Sequence, residues 1–202
     1  MKNTVNKRGA SLHYIIKIAI LAAISAIIML FEFPLWFAPG FYKLDLSEAV
    51  ILMGSFAMGP IAGVLIELIK NLLNILLNGT TTGYVGEFAN FVTGCAFILP
   101  AAITYKYKKN IKGAVIGMIL GTLSLSIAGG LMNYFVLVPA YVKMGLLPLE
   151  AIVSAASKVN SAVTDLKSMI VFAVMPFNLI KGIACSFIAL LLYKRLSNIL
   201  HK

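Results

Sequence analysis

Residues 15–31 read IIKIAILAAISAIIMLF, an apolar run with a single charged residue, Lys17. A helix needs about 20 mostly apolar residues to cross a bilayer, and this run with its neighbours is long enough. The rest of the chain is similar: of its 202 residues 60% are hydrophobic and 12% are charged, where soluble domains carry about 25% charged residues. The composition predicts an all-α integral membrane protein with about six spans and no separate soluble domain.

Further apolar runs follow the first, and each is bounded by polar or helix-breaking residues. Gly59-Pro60 separates two of them, and the basic stretch YKYKKNIK at 105–112 precedes a long fifth run. Ser47 is typical of an N-cap, which begins a short helix. The pattern predicts a single transmembrane domain, residues 1–202, with an extracellular loop at 32–46 and helices at about 12–31, 47–57, 60–77, 86–105, 113–141 and 166–193.

The distribution of positive charge predicts the orientation in the membrane. The chain has 17 Lys and Arg residues against 7 Asp and Glu, a net charge of +10. With six helices, both chain ends and the loop at 105–112 share one face, and that face holds most of the Lys and Arg residues. Basic loops stay in the cytoplasm. We therefore predict a multi-pass protein of the cell membrane with both termini cytoplasmic, whose positive charge serves orientation beside membrane lipid rather than nucleic-acid binding.

The sequence contains no motif of a common catalytic or cofactor site. It has no GxxxxGK[ST] phosphate-binding loop and no HExxH or paired Cys and His spacing that would bind zinc. Cys95 and Cys185 stand singly in apolar runs, where cysteine packs as a small hydrophobic residue. We predict that the chain is not an enzyme and that it holds no cofactor and no metal.

Five polar residues stand in or beside apolar segments of the later helices. Asn178 and Lys181 are three residues apart and share a helix face, as do Glu87 and Asn90, while Asn133 lies alone in the fifth run. Because ionisable groups in a bilayer are costly, they usually face an interior site. The set predicts a polar ligand site, and the alternative is a group of hydrogen bonds between helices. Glu67 and Lys70 are also three apart and are predicted to pair with each other.

Two further patterns each have two interpretations. The loop EFPLWFAPGFYKLDLSE, at 32–48, is rich in aromatic residues, which form either a belt at the membrane interface or a lid that stacks on a planar ligand. Small residues repeat every four positions in the first and fifth helices: Ala19 and Ala23, Ala22 and Ala26, and Gly113, Gly117 and Gly121. Such faces let helices approach closely within a chain or between chains. For the glycine series, packing within the chain is favoured.

Taken in order, these blocks resemble the substrate-binding S components of energy-coupling factor (ECF) vitamin transporters, and more narrowly the riboflavin-specific members of that family. The resemblance covers nearly the whole chain. It is carried by the Ala-rich first helix and by four blocks: KLDLSEAVILMGSFAMGPIAG at 43–63, TGYVGEFANF at 82–91, NYFVLVPAY at 133–141 and PFNLIKG at 176–182.

The resemblance implies a six-helix bundle that binds one vitamin near the extracellular side and works with a transmembrane T component and two cytoplasmic ATPases. The ligand implied is riboflavin, as transported substrate and not as cofactor. Lys181 is expected to pair with Glu87, and a single lysine without arginine argues against strong selection for the phosphate of FMN. The implied riboflavin site contains Leu44, Asp45, Glu87, Asn90, Asn133, Asn178 and Lys181. The implied docking face for the T component contains Ala19, Ala22, Ala23 and Ala26.

Three other functions remain open at this point. The chain could be an S component for another small vitamin. It could instead be a stand-alone secondary transporter that uses Glu67 or Glu87 as a proton site. In the third case it is a structural subunit without a ligand, whose polar residues only join helices.

Overall fold

The computed structural model describes the backbone of residues 2–200 and the side chains of residues 12–193, so the basic side chains at both chain ends lie outside the described part. Within this part, five helices are long and apolar enough to cross a membrane, and one apolar helix is shorter. The six predicted helices correspond to these five candidate spans and the short helix, but the structure has a seventh helix at Leu149–Ser157, so the six-helix count is not confirmed. The predicted all-α class agrees with a chain whose only described strands pair in one small hairpin.

The first half of the chain contains three helices and the hairpin. Helix α1 covers Lys2–Met29, and its apolar part is Leu12–Met29. The helix therefore starts ten residues before Leu12, the position at which the sequence predicted it to begin. Strands β1 (Phe33–Pro34) and β2 (Lys43–Leu44) pair antiparallel within the predicted extracellular loop. Helix α2 covers Ser47–Met58 and α3 covers Pro60–Asn78.

The second half contains two long helices that each include a π-helical turn. Helix α4 covers Val85–Tyr107. Helix α5, Ile111–Lys143, is continuous but contains a π-helical turn at Asn133–Leu137. Helix α6 covers Leu149–Ser157. Helix α7 begins with Leu166–Met169, passes through a second π-helical turn at Ile170–Val174 and continues as Met175–Leu200.

Helix α2 lies inside the bundle instead of facing lipid. Its 12 residues rise about 18 Å, which is less than the ~30 Å of a bilayer core. Nine of these residues are buried, and α2 packs against α1, α3, α4 and α7. Gly59 has a φ of 96° and Pro60 begins α3. Gly59 is therefore the single residue that connects α2 to α3.

Helices α4 and α5 form the tightest pair, and the glycine series explains why. A Cβ on Gly117 would lie 2.6 Å from the carbonyl oxygen of Ala101, and one on Gly121 would lie 2.4 Å from that of Phe97. The glycines therefore pack within the chain, as favoured from the sequence. The core around them is apolar and fully buried, with Ile51, Leu52, Ile66, Phe97 and Ile98 at its centre.

Candidate functional site

A cavity of about 870 Å³ opens at one end of the bundle, within the ~300–1,000 Å³ range of small-molecule sites. The hairpin, the α3–α4 loop, the C-terminal part of α5 and residues 177–181 of α7 enclose it. The Gly59-Pro60 turn and Lys109 line a smaller groove at the opposite end. Six of the seven residues expected to bind ligand line the cavity: Asp45, Glu87, Asn90, Asn133, Asn178 and Lys181.

An ion pair between Asp45 and Lys181 lies at the cavity wall. Lys181 Nζ lies 2.8 Å from Asp45 Oδ2, and the two side chains are 9% and 5% exposed. The backbone N–H of Ser47 donates to Asp45 Oδ1 at 3.0 Å, and the Ser47 hydroxyl donates to the same oxygen. Burial by itself raises the pKa of Asp45, but the neighbouring charges of Lys181 and Lys70 and these hydrogen bonds lower it below its usual value. The expected pairing of Lys181 with Glu87 was therefore wrong, because β2 brings a nearer carboxylate.

Two asparagines beside the π-helical turns are held by their own helices. Asn133 Nδ2 donates to the Gly129 carbonyl at 2.8 Å, and Asn178 Nδ2 donates to the Val174 carbonyl at 2.9 Å. Their amide oxygens are thereby left for other partners: Asn133 Oδ1 accepts from the Tyr42 hydroxyl at 2.5 Å. A Cβ on Gly129 would lie 2.4 Å from Asn178 Nδ2. Asn178 can occupy this place only because α5 has glycine there.

The opposite wall, made by α3 and α4, also presents oxygen atoms. Glu87 Oε2 accepts from the Thr82 hydroxyl at 2.8 Å. Asn90 Nδ2 donates to Asn71 Oδ1 at 3.2 Å, which turns the Asn90 oxygen away from Asn71. Asn74 lines the cavity, and its buried Oδ1 has no hydrogen-bond partner within the described part of the chain. The cavity is therefore rich in hydrogen-bond acceptors.

The hairpin contributes aromatic surface, but only from part of the predicted lid. Phe41 and Tyr42 line the cavity, and the Tyr42 ring lies 5.6 Å from that of Phe177. Trp36 is 88% exposed and points elsewhere, as an interfacial residue would. Leu44 is buried against Ala38 and Phe177 and does not line the cavity. The structure thus shows a packing contact for this side chain, and the expected contact of Leu44 with the ligand stays a prediction.

Asn74 and Tyr42 are among the residues of the site that were missed in the sequence. Asn74 stands among apolar residues of α3, which is the same signal that identified Asn133, so it could have been found. Tyr42 was considered only as part of an aromatic loop, and its hydrogen bond to Asn133 joins positions 91 residues apart. No local pattern predicts such a contact.

The four alanines expected to form a docking face lie on one side of α1, but they differ in exposure. Ala22 and Ala26 are 0% and 1% exposed, so they pack inside the fold and are unavailable to a partner. Ala19 and Ala23 are exposed. The predicted docking contact for a T component therefore remains only at Ala19 and Ala23.

Glu67 and Lys70 pair at 2.8 Å as predicted, in a buried cluster outside the cavity. Glu48 of α2, which was not predicted to take part, lies 2.8 Å from the same ammonium group. Among the residues searched in the described part, no group of three or more His, Cys, Asp or Glu side chains could hold a metal ion.

Comparison with known proteins gives a consistent assignment. Residues 13–193 match the family described as ECF transporter, substrate-specific component. The chain is 39% identical over 188 residues to riboflavin transporter RibU of Staphylococcus aureus (strain TCH60), covering 93% of this chain and 92% of that protein. It is 32% identical to riboflavin transporter FmnP of Bacillus subtilis (strain 168), covering 90% of both.

A solved structure of the S component of a bacterial ECF transporter has the same fold. It superposes with a TM-score of 0.73 at 34% sequence identity, and the alignment covers 95% of this chain and 99% of that one.

Proposed function

The chain belongs to the family of ECF transporter substrate-specific components, and we propose that it binds riboflavin in the cavity beside Asp45 and Lys181. It delivers the vitamin across the cell membrane together with a T component and two cytoplasmic ATPases. The relatives named as riboflavin transporters support the identity of the ligand. The chain has no nucleotide-binding loop of its own, so in this proposal the partners hydrolyse the ATP, and the chain itself is a binding subunit and not an enzyme.

The observation that carries the proposal is the match between the cavity and the chemistry of riboflavin. Riboflavin has a flat ring system and a tail of hydroxyl groups, which needs aromatic surface together with several hydrogen-bond acceptors. Tyr42 and Phe177 supply the first. The acceptors are the amide oxygens of Asn90 and Asn178 and the carboxylates of Asp45 and Glu87, all on residues that line the cavity. Lys181, held by Asp45, supplies a donor for the ring's carbonyl oxygens.

The ligand is tested by titrating the detergent-purified protein into riboflavin and following the quenching of its fluorescence. Asn178→Ala should weaken binding at least about tenfold, which corresponds to one or two lost hydrogen bonds. Lys158→Met is the control, because Lys158 is exposed directly after α6 and does not line the cavity. Wild-type protein that neither carries flavin nor quenches added riboflavin overturns the proposed ligand, and another small vitamin then becomes the candidate.

The proposed arrangement in the membrane has six helices, with α2 inside the bundle, both termini in the cytoplasm and the cavity facing outward. The exposed pair Ala19 and Ala23 on α1 is the proposed contact for the T component, since small residues allow close helix approach. Dependence of uptake on ATP separates this proposal from a stand-alone transporter. A carrier driven by protons at Glu67 or Glu87 would instead follow the proton gradient.

A further inference from the structure

The cluster of charges between α2 and α3 is separate from the ligand cavity. Lys70 Nζ lies 2.8 Å from Glu48 Oε1 and 2.8 Å from Glu67 Oε1. Lys70 and Glu67 are 0% exposed and Glu48 is 1% exposed, and none of the three lines the cavity. The proposed riboflavin site therefore gives this cluster no role.

Neighbouring elements close the cluster on its other sides. Asn71 Nδ2 donates to Glu67 Oε1 at 2.8 Å. Helix α4 passes so close that a Cβ on Gly94 would lie 2.5 Å from Glu67 Oε1. The surrounding ionisable groups are the Asp45–Lys181 pair, which is already neutral as a pair, and the thiols Cys95 and Cys185.

The cluster has two carboxyl groups and one ammonium group, which is one positive charge too few for neutrality if both carboxyl groups are ionised. With both carboxylates ionised, Glu48, Glu67 and Lys70 would carry a net charge of −1, and no unpaired cation faces them within the described part of the chain. An uncompensated charge buried in a low-dielectric interior is costly, and such a group takes up a proton instead. Two carboxylates that share one site behave in this way.

The hydrogen bonds lead to the same conclusion independently. Glu48 Oε2 and Glu67 Oε2 are both fully buried and have no hydrogen-bond partner in the described part of the chain. Two ionised carboxylates can only accept hydrogen bonds, so both atoms would remain unsatisfied. The side chains of Glu48 and Glu67 lie within hydrogen-bonding reach of each other, so a proton on one carboxyl group supplies the missing donor and an oxygen of the other accepts it.

We propose that Glu48 and Glu67 bind one proton between them, held as an O–H···O hydrogen bond, so that with Lys70 the cluster has no net charge. This proton site is independent of the ligand. It allows α2, with its charged first turn, to lie inside a bundle surrounded by lipid.

Infrared spectroscopy of the full chain in detergent at neutral pH tests the proposal. A protonated carboxyl group has a C=O stretching band, shifted by exchange into D₂O, that a carboxylate lacks. The wild-type protein should show the intensity of one such group. The band should disappear in Glu67→Gln and in Glu48→Gln, because the remaining carboxylate then pairs with Lys70 and ionises. Glu150→Gln, at an exposed position on α6, should keep the band.

Thermal melting of the same proteins gives a second readout. Each single glutamine variant retains one carboxylate for Lys70 and should melt close to the wild type. The double variant Glu48→Gln/Glu67→Gln leaves Lys70 as a buried unpaired charge and should melt at a clearly lower temperature. A wild-type spectrum without the band, a band that survives both single substitutions, or single variants that do not fold would each overturn the proposal.

Discussion

The ion pair between Asp45 and Lys181 joins positions 136 residues apart, and its burial makes it sensitive to the loss of either partner. Lys181→Met leaves an unpaired carboxylate and Asp45→Asn leaves an unpaired ammonium group. Each should reduce the free energy of unfolding by about 3–5 kcal/mol, while the double variant should lose less than either single one, because no uncompensated charge remains. Denaturation in detergent of the four proteins measures this cycle, and additive losses would contradict it.

The lowered pKa of Asp45 gives this cycle a defined pH dependence. An unfolded Asp titrates near 3.9, and the folded value lies below that. The pair therefore contributes its full stability above about pH 4 and loses it only as the pH falls through the lower folded value. Acidification from pH 7 to about pH 5 should leave the difference between wild type and Asp45→Asn unchanged. A difference that shrinks within that interval would show that Asp45 is not held ionised by Lys181.

Glu87 should determine discrimination against phosphorylated flavin. Among the charged residues that line the cavity, Glu32 pairs with Lys43 and Asp45 pairs with Lys181, which leaves Glu87 without a cation. FMN brings a phosphate of about −1.5 to −2 charges into this negative cavity. Glu87→Gln should therefore improve FMN affinity relative to riboflavin about tenfold, or ~1.4 kcal/mol. Fluorescence titration with both ligands measures the ratio.

The control for this prediction is Glu150→Gln, an exposed position that does not line the cavity. It removes the same charge from the chain and should leave the ratio unchanged. If Glu87→Gln binds riboflavin normally and the ratio stays at the wild-type value, the carboxylate does not act on the phosphate.

At the residue scale, the sequence predicted which side chains matter better than it predicted their partners. Polar groups inside apolar runs are visible in a sequence because burying them is costly, and six of the seven chosen this way or by resemblance line the cavity. Partners depend on three-dimensional contact. Lys181 pairs with Asp45, and Glu48 joins the Glu67–Lys70 pair. In both cases the partner comes from a different element of the fold, so no local sequence pattern predicts the contact.

At the element scale, the lengths of the apolar runs and the helix-breaking residues located the helices. The π-helical turns inside two of these helices were not predicted. Gly59-Pro60 separates α2 from α3 where the sequence placed the break. The π-helical turns at Asn133–Leu137 and Ile170–Val174 each end two residues before a proline, Pro139 or Pro176. A proline marks a break in regular helical hydrogen bonding but does not identify it as a π-helical turn. These turns lie beside the two asparagines of the site, where π-helical turns often occur.

The close contact between α5 and α7 at Gly129 should be needed for binding. Gly129→Ala places a methyl group 2.4 Å from Asn178 Nδ2, so Asn178 must leave its hydrogen bond to the Val174 carbonyl. Riboflavin affinity should fall at least about tenfold, or ~1.4 kcal/mol. Gly130→Ala is the neighbouring control: its nearest contacts are side-chain atoms at 3.2 Å, and a smaller effect is expected. Equal losses would indicate a general disturbance of α5.

For the molecule as a whole, the composition predicted a helical membrane protein, and the fold bears this out with five candidate spans. It could not predict that α2 would lie enclosed by four other helices. A run of about eleven apolar residues fits a buried helix or a partial span equally well, and only the packing of its neighbours decides between them. The division of the four alanines into a buried pair and an exposed pair likewise depends on the neighbouring helices.

The orientation of the molecule is the property that most directly links this fold to import. The cavity and α6 lie at one end, while Lys106, Lys108, Lys109 and Lys112 lie at the other. Because basic loops remain in the cytoplasm, the cavity should face outward. A membrane-impermeant maleimide on intact cells should label Ser154→Cys on α6 and leave Lys109→Cys unlabelled until the cells are opened. The parent chain measures background from Cys95 and Cys185, which are half-buried and buried. The reverse labelling pattern would place the cavity in the cytoplasm, where it could not collect riboflavin from outside.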